Sequence, residues 1–397
     1  MAAGSQRRIS HAKESAWGVP IGTAFQIDRA LAGAGGGVER SQWMSDEMRS
    51  DRAVADMRLG VKRPSFSLPF ELSYGTQEDE LESALNGTWA AAGTPITGLS
   101  TTVVAGSTNT MSATGIGGTG GSLISAGDYV KVSGFTGGYT ANNGYFRVTT
   151  AASGVLTLAE AKTATGTSAL TACTSQTGIT VTRMGSLATS TVEHSLAFEE
   201  AFLDINVFAE YLGMVAKSMS LNIPTDGIIK GSFDFLGHSL VGPAGTTYTG
   251  STVAATTTTP MDGASAGMIL RVDGTPSAIV TSFGANLDNG AEHKTAAFQT
   301  VPQRVAVGRS KLSGSLGLYF NASTYWTRYL NETALSIGAV LMDSAGLTGY
   351  AIDIPAVKLT SFPKPNVQEN DITADLQWQA IRDTVTGLVN WKWHKLA

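Results

Sequence analysis

The chain has 397 residues, of which 42% are hydrophobic and 15% charged, and its formal net charge is −5. This balance offers no general basic surface for nucleic acid, and the single cysteine, Cys173, excludes an intrachain disulfide or a cysteine-based zinc site. Because no apolar run of 18 residues and no apolar N-terminal stretch is present, the sequence predicts neither membrane insertion nor a secretion signal. The 46 glycines, with abundant serine and threonine, favour short strands and turns over long helices.

A polar stretch, Ala32 to Asp56, comes before the first clear strand pattern. Two interpretations of it remain open: a solvated loop, or an arm that contacts a neighbouring subunit. On the second interpretation the inter-subunit contacts come from the charged side chains of the arm, which are Asp46, Glu47, Arg49, Asp51 and Arg52.

The first strong element is the segment Ser65 to Tyr74, where large apolar side chains alternate with polar ones as in a half-buried strand. A short helix is predicted to follow, with Thr76 and Asp79 forming a capping box at its start. The residues of this helix that face the core are expected to be Leu81, Ala84 and Leu85.

The composition changes between about Ala90 and Met184, and the sequence predicts an inserted small β domain there, bounded as residues 91–184. One of its strand patterns opens with Asn143-Gly144, a pair that suits a type I′ turn. The segment Gly115 to Gly120 matches the GxGxxG pattern, but it lacks the preceding strand and the following helix of a dinucleotide site. No cofactor is therefore expected.

A predicted hairpin follows the insert, with Pro224 to Gly227 as the connection between its strands. The next segment, residues 242–266, is interpreted as a linker or a long loop. Gly263 to Gly267 matches the GxSxG pattern, but the nucleophile elbow needs a strand–turn–helix context that is missing from the sequence pattern here. Ser265 is thus not expected to be catalytic, and no enzymatic activity is predicted.

The chain then repeats its first strand and helix. Ser313 to Thr333 aligns without gaps with Ser65 to Leu85, at an offset of 248 residues. The core-facing residues of this second helix are expected to be Trp326, Tyr329 and Leu330.

The hairpin is repeated as well. The segment Pro355 to Phe362 resembles Val215 to Leu221 at an offset of 141, which places Lys358 on Lys217, and residues 371–379 resemble residues 228–236 at an offset of 143. The smaller offsets mean that about 100 residues are extra in the first copy. The polar stretch before the second copy, residues 284–303, contains a further candidate for inter-subunit contact, Asp288.

These patterns predict a mainly β chain made of two related modules. Module 1 comprises residues 1–90 and 185–241, the insert 91–184 interrupts it, residues 242–266 form the linker, and module 2 comprises residues 267–397. At the C-terminus, Trp391 to Lys395 is interpreted as the last strand of a sheet in preference to a stacking surface for nucleic acid. No two of the five histidines have HxH or HxxxH spacing, so no metal site is predicted.

The chain resembles the tail tube proteins of long-tailed, non-contractile bacteriophages. No single motif carries the resemblance, which extends over the following segments: Ser45–Gly60, Ser65–Gly75, Glu80–Leu85, Asn142–Val148, Phe198–Gly213, Ser218–Leu221 and Gly231–Phe235. The resemblance implies a β-sandwich flanked by one helix in each module.

The resemblance also implies a mechanical function, in which subunits form rings whose inner sheets join into one β-barrel and the genome passes through the stacked rings. Because each chain has two modules, a homotrimer would build a pseudo-hexameric ring. The implied partners are the tail tip, tape measure and tail terminator proteins, and the implied location is the virion tail, assembled in the host bacterial cytoplasm. The alternative considered is a carbohydrate-binding, adhesin-like β protein.

A lumen through which DNA slides should avoid cationic side chains that grip phosphate. Acidic residues on the polar faces of the predicted strands are therefore candidates for the lumen wall, and they are Glu71, Asp234 and Asp375. Lys230 shares a face with Asp234, which weakens this assignment, and an ordinary solvent-facing sheet surface remains the other interpretation.

Overall fold

The structure is a computed structural model that describes most of the chain. The residues outside the description are 1–5, 49, 52, 106–108, 117–123, 160, 164–165, 169, 265–268, 278, 320–322, 344–345, 347, 363–371 and 384–390. The sequence motifs at residues 115–120 and 263–267 lie partly among these residues, and Ser265 is one of them.

The fold is mainly β, as predicted, with two short α-helices and one 3₁₀ helix, Gly137–Asn142, in the described part of the chain. The strands of the first half are β1 (Arg7–Lys13), β2 (Ala24–Ile27), β3 (Gly35–Met44), β4 (Met57–Glu71), β5 (Ile96–Val104), β6 (Thr110–Ser112), β7 (Tyr129–Ser133), β8 (Gly144–Ala152), β9 (Val155–Leu158), β10 (Ala161–Thr163), β11 (Gly166–Ser168), β12 (Cys173–Arg183), β13 (Ser186–Ala188) and β14 (Leu196–Phe202).

The second half contains the remaining strands and the second helix. The strands are β15 (Val207–Pro224), β16 (Lys230–Leu236), β17 (Ser239–Ala244), β18 (Ser251–Val253), β19 (Ile269–Val272), β20 (Thr275–Pro276), β21 (Val280–Asp288), β22 (Glu292–Lys294), β23 (Arg304–Ala306), β24 (Lys311–Tyr319), β25 (Leu335–Met342), β26 (Gly349–Ser361), β27 (Thr373–Ala380) and β28 (Lys392–Leu396). The helices are α1 (Glu78–Leu85) and α2 (Thr324–Leu330).

One antiparallel path of strands runs through both halves of the chain in the order β3–β4–β16–β15–β21–β24–β27–β26. We call this path the central sheet. The alternation of side chains puts large apolar residues of every strand of this path except β3 on one face, where they form the main core. Phe70 and Phe233, for example, stack across β4 and β16 with ring centroids 4.7 Å apart.

The same strand pairings occur in both halves. The pairs β3·β4, β4·β16, β15·β16, β14·β15 and β15·β17 have counterparts in β21·β24, β24·β27, β26·β27, β25·β26 and β26·β28. The registers match too, since Ser67 opposes Asp234 where Ser315 opposes Gln377. Both long strands also contain a register shift at the same place, after Ala216 and after Leu359.

These registers correct one sequence alignment. Ser218 opposes Asp234 and Ser361 opposes Gln377, so both strands of the hairpin are related by 143 residues. The offset of 141 for the first strand thus differs by two residues from the offset given by the strand pairings, which is the same before and after the shared bulge. Lys217 corresponds in register to Thr360 and not to Lys358.

The first helix matches its prediction except for its start. Leu81, Ala84 and Leu85 are buried, as expected. The capping box was wrong, because α1 has Gln77 at its N-cap with no side-chain cap hydrogen bond. The Thr76 hydroxyl instead shares hydrogen bonds with the hydroxyls of Ser73 and Thr256.

The second helix differs more from its prediction. Trp326 and Leu330 were expected in the core, but they are 47% and 68% exposed. The Trp326 ring stacks on Phe362 with centroids 5.6 Å apart, and Tyr329 is partly buried beside the core. A pattern of apolar residues at helical spacing gave the correct face in α1 and not in α2. The helix α1 packs against β13, β14 and β15, whereas α2 packs beside β26 with Tyr325 and Tyr329 towards the core and leaves Trp326 and Leu330 exposed.

The strands of the predicted insert form a sheet of their own. Six of them, β8, β7, β12, β5, β6 and β9, pair in that order, and β9 pairs back with β8, so that they enclose a separate apolar core. This small barrel rests on β25, β26 and β28 through a buried cluster that includes Tyr129, Met342 and Leu396. Arg147 also pairs with Asp353 at 3.3 Å.

The segment interpreted as a linker contains strands. Residues 239–244 form β17 beside β15, and Ser251 to Val253 form β18, which pairs in parallel with β2. The last strand was predicted correctly: β28 has Trp393 buried, next to the buried Trp391, with its two lysines partly exposed.

Replacing Phe233 with Ala should destabilise the subunit by about 3–5 kcal/mol, because the ring is fully buried against Phe70 and its removal leaves a cavity. Urea unfolding followed by circular dichroism measures the change. Phe298→Ala is the control, since the Phe298 side chain is fully exposed and its loss should leave the midpoint unchanged. Equal midpoints for the two variants would contradict this description of the core.

Candidate functional site: a polar sheet face and an exposed arm

The face of the central sheet opposite the core is polar over several strands. Residues that oppose one another across the strands form rows on this face. One row is Pro69, Ser232, Ser220, Asn286, Ser313 and Gln379, and the next is Glu71, Lys230, Asn222, Gly284, Ser315 and Gln377. Small hydroxyl and amide side chains dominate these two rows, in which Glu71 and Lys230 are the charged residues.

Asp234 lies in the middle of this polar face and joins three strands. Its carboxylate accepts hydrogen bonds from the Ser67 hydroxyl at 2.9 Å and from the Ser218 hydroxyl at 3.0 Å. These two serines belong to the strands on either side of β16, so the carboxylate is held between them.

The other acidic candidates from the sequence lie on the same face. Glu71 is 3.9 Å from the Lys230 ammonium group, at the end of β4. Asp375 is exposed and opposes Gly317 in the adjacent strand. Asp288, which was grouped with the arm, lies at the end of β21 on this same face, opposite both Ser218 and Lys311.

The second part of the site is the distal end of the β3–β4 hairpin, residues 40–61, which we call the arm. Met44 and Met57 oppose each other there, and Leu59 lies on the same side, with exposed fractions of 63%, 50% and 46%. Trp43 on the other side is 65% exposed and Met48 in the loop is 97% exposed. An exposed apolar group of this size is typical of an interaction surface.

The charged candidates of the arm lie mostly in its loop. Asp46 and Glu47 are exposed there, and the Asp51 carboxylate accepts a hydrogen bond from the backbone N–H of Ala53 at 3.2 Å. Arg49 and Arg52 lie outside the described residues. Sequence reasoning selected the charged residues of this segment and missed its methionines and tryptophan, although the high density of large apolar residues between 43 and 59 was a visible signal.

A buried group of titratable residues was also missed. His11 Nδ1 lies 2.7 Å from Asp28 Oδ1 and 3.2 Å from Glu80 Oε1, and His11 Nε2 lies 3.5 Å from Asp79 Oδ2. Lys13 pairs with Asp79 at 2.9 Å and with Glu82 at 2.8 Å. We call these residues the His11 cluster. No sequence spacing revealed it, because its members come from β1, the segment after β2, and α1.

Burial and mutual charge shift the pKa values in the His11 cluster. Burial raises the pKa of Glu80 to about 8. The charge of His11 acts to lower this pKa, and the nearby Asp28 carboxylate acts to raise it. Burial by itself would lower the pKa of His11. The carboxylates of Asp28 and Glu80 have the larger combined effect and hold the pKa of His11 well above its usual value. Burial also acts to raise the pKa of Asp79, but the contacts with His11 and Lys13 prevail and lower it to about 2.

The polar sheet face and the exposed apolar arm are thus two distinct surfaces of the described residues. A family model for phage tail tube proteins matches residues 4–380. The chain therefore belongs to the phage tail tube protein family. It is a structural component of the virion, and the role of this family is structural and not catalytic. No curated protein matched the sequence. Among the described residues, none of the helices has the length and apolar character needed to cross a membrane.

Replacing Asp234 with Ala should lower the free energy of unfolding by about 1 kcal/mol, since two inter-strand hydrogen bonds are lost while the freed hydroxyls can still bind water. Asp375→Ala on the same face is the matched control and should change stability by less than about 0.5 kcal/mol, because Asp375 is exposed. Denaturant unfolding of both variants distinguishes them. A larger loss for Asp375→Ala would contradict the assigned bridging role of Asp234.

Proposed function

We propose that this chain assembles as homotrimeric rings, that the rings stack into the hollow tail tube of a long-tailed, non-contractile phage, and that genomic DNA passes through the lumen. Membership in the tail tube family supports assembly into a tube. The observation that carries the ring proposal is the repetition of the same strand pairings and registers in the two halves of one chain.

The proposed domain division follows from this repetition. Module 1 is residues 1–90 and 185–241, the insert is 91–184, and module 2 is 267–397, while 242–266 joins the modules and contributes β18. Three such chains supply six modules, which is why a trimer is proposed to form a ring with nearly six-fold inner walls.

The two modules of one chain are joined by β15 and β21, because Ser218 to Pro224 pair with Ser282 to Asp288. By the register equivalence, β3 of module 1 corresponds to β21, and Glu39 corresponds to Asp288. In the described residues, β3 pairs along one edge only, with β4. An open edge of this kind can bind another chain.

The same equivalence gives the partner of this edge. Ser361, at the end of β26, corresponds to Ser218 at the point where β15 pairs with β21. We therefore propose that β3 of one subunit pairs beside the end of β26 of the next, with Glu39 opposite Ser361. Repeating this contact three times closes the central sheets into one barrel.

The polar face of the central sheet is proposed to line the lumen, with Glu71, Asp234 and Asp375 on its wall. Its small polar side chains and acidic groups would keep DNA phosphates from binding tightly. The arm is proposed to contact a neighbouring subunit through Met44, Met57 and the other apolar residues named above. Charged residues of its loop would lie at the edge of that contact.

The proposed site of assembly is the host bacterial cytoplasm. The ends of the tube are proposed to meet the tail tip and tail terminator proteins, with a tape measure protein inside during assembly. The insert is proposed to lie on the outside of the tube, since it packs against β25, β26 and β28 through residues that are not part of the rows on the polar face.

Glu39→Cys combined with Ser361→Cys, in a Cys173→Ser background, should form inter-subunit disulfides, because opposed residues on adjacent strands lie within disulfide reach. Assembled protein is first viewed by electron microscopy and then analysed by non-reducing electrophoresis. A covalent trimer with no longer species is expected. Ser313→Cys with Ser361→Cys is the matched control and should stay monomeric on the gel.

Two results would overturn the ring proposal. Tubes that are visible by microscopy but contain no cross-linked chains would exclude the β3–β26 contact. A ladder that extends beyond three chains would keep the contact and exclude the trimer.

Ser313→Cys should be protected from a bulky polymer-linked maleimide in assembled tubes, because it lies on the proposed lumen wall. Ser153→Cys, in an exposed turn of the insert, is the matched control and should react in tubes and in free subunits alike. Both variants are made without Cys173 and labelled before and after assembly. Equal labelling of Ser313→Cys in both states would place this face outside the lumen.

A further inference from the structure

The His11 cluster presents three metal-ligating atoms at one point of module 1. His11 Nδ1, one oxygen of Asp28 and one oxygen of Glu80 lie within 4.8 Å of one another. The His11 and Glu80 side chains are almost fully buried, and the Asp28 side chain is 5% exposed. Ligands that share a metal ion at about 2.0–2.2 Å are themselves roughly 3 Å apart. The distances from His11 Nδ1 to Asp28 Oδ1 and to Glu80 Oε1, 2.7 Å and 3.2 Å, are close to this spacing.

Several oxygens in this cluster have no hydrogen-bond partner in the described structure. They are both carboxylate oxygens of Glu80 and the Oδ2 atom of Asp28. Buried carboxylates are normally hydrogen-bonded or paired, because an unpaired buried charge is costly. His11 Nδ1 faces both Asp28 and Glu80, and one N–H can donate along only one direction. If His11 donates to Asp28, the Glu80 carboxylate is left without a side-chain hydrogen-bond donor among the described residues.

The charges around the cluster also do not balance. Four carboxylates, those of Asp28, Asp79, Glu80 and Glu82, surround His11 and Lys13. Even with His11 protonated and Glu80 neutral, the three other carboxylates outnumber the two positive charges. A bound cation would restore the balance in a place that water hardly reaches.

Module 2 provides a comparison, on the proposed equivalence of the two modules. Arg328 of α2 occupies the position that Glu80 has in α1, and its guanidinium group pairs with Asp273. Module 2 thus has its own cation at this place beside the helix. At the same place, module 1 has the carboxylate of Glu80 instead of a guanidinium group.

We propose that His11, Asp28 and Glu80 bind one divalent first-row transition metal ion, of which Zn²⁺ is the representative. One imidazole and two carboxylates form a ligand set that such ions prefer. The second oxygens of Asp28 and Glu80 are free of hydrogen bonds and complete the coordination. Asp79, at the other ring nitrogen, is a positioning residue that orients His11 in the usual carboxylate–histidine arrangement.

The ion would join three separate parts of module 1. His11 belongs to β1, Asp28 follows β2, and Glu80 lies in the first turn of α1. The N-terminal strand would therefore be fastened to the helix in each subunit. This role is independent of ring formation and of the direction in which the sheet faces.

The test uses the full-length chain, stripped with a chelator and then titrated with Zn²⁺ by isothermal titration calorimetry. One saturable site per chain is expected, with a rise in the thermal unfolding temperature. Glu80→Gln and, as a second variant, His11→Asn should each abolish that site, and Asp79→Asn should weaken it by about tenfold or more. Glu78→Gln is the matched control on the same helix, since Glu78 pairs with Lys395 and lies outside the cluster.

Circular dichroism checks that each variant is folded. The proposal is overturned if the folded wild-type chain shows no saturable Zn²⁺ site, which would mean that the cluster holds only a proton. It is also overturned if Glu80→Gln and His11→Asn bind Zn²⁺ as wild type does. A Tm rise that Glu78→Gln abolishes and Glu80→Gln retains would place the ion elsewhere.

Discussion

The pairing of β15 with β21 is the contact on which the rest of this structure depends. It joins a strand of the first half of the chain to a strand of the second, over Ser218 to Pro224. Through it two sets of strands become one central sheet with one apolar core and one polar face. If these strands did not pair, each half would have an open edge that could bind other chains.

The two faces of the central sheet follow from the period of two in a strand. In most strands, small polar residues alternate with large apolar ones. The apolar face of the sheet is therefore buried in the core, and the polar face is exposed to solvent. A shift of one residue would reverse every side chain. The matching bulges after Ala216 and after Leu359 preserve the same register in both halves.

The two halves also differ where their neighbouring elements differ. The helix α1 packs against β13, β14 and β15 and buries Leu81 and Leu85, whereas α2 exposes Trp326 and Leu330. The insert rests on the strands of the second half, so Asp353 pairs with Arg147. In the first half the corresponding position is Glu210, whose pKa is raised to about 7 by burial and by the nearby carboxylates of Glu199 and Glu14.

The sequence by itself determined the local and repetitive features: the mainly β class, the alternation in β4 and β24, the buried face of α1, the last strand, and the family. These depend on neighbours within a few residues, or on a pattern shared along the whole chain. Only the tertiary structure decided which residues from distant segments meet. The exposed face of α2, the apolar arm and the His11 cluster belong to this second group, because burial and charge pairing depend on what packs against a side chain, and that partner is set by the topology of the sheet.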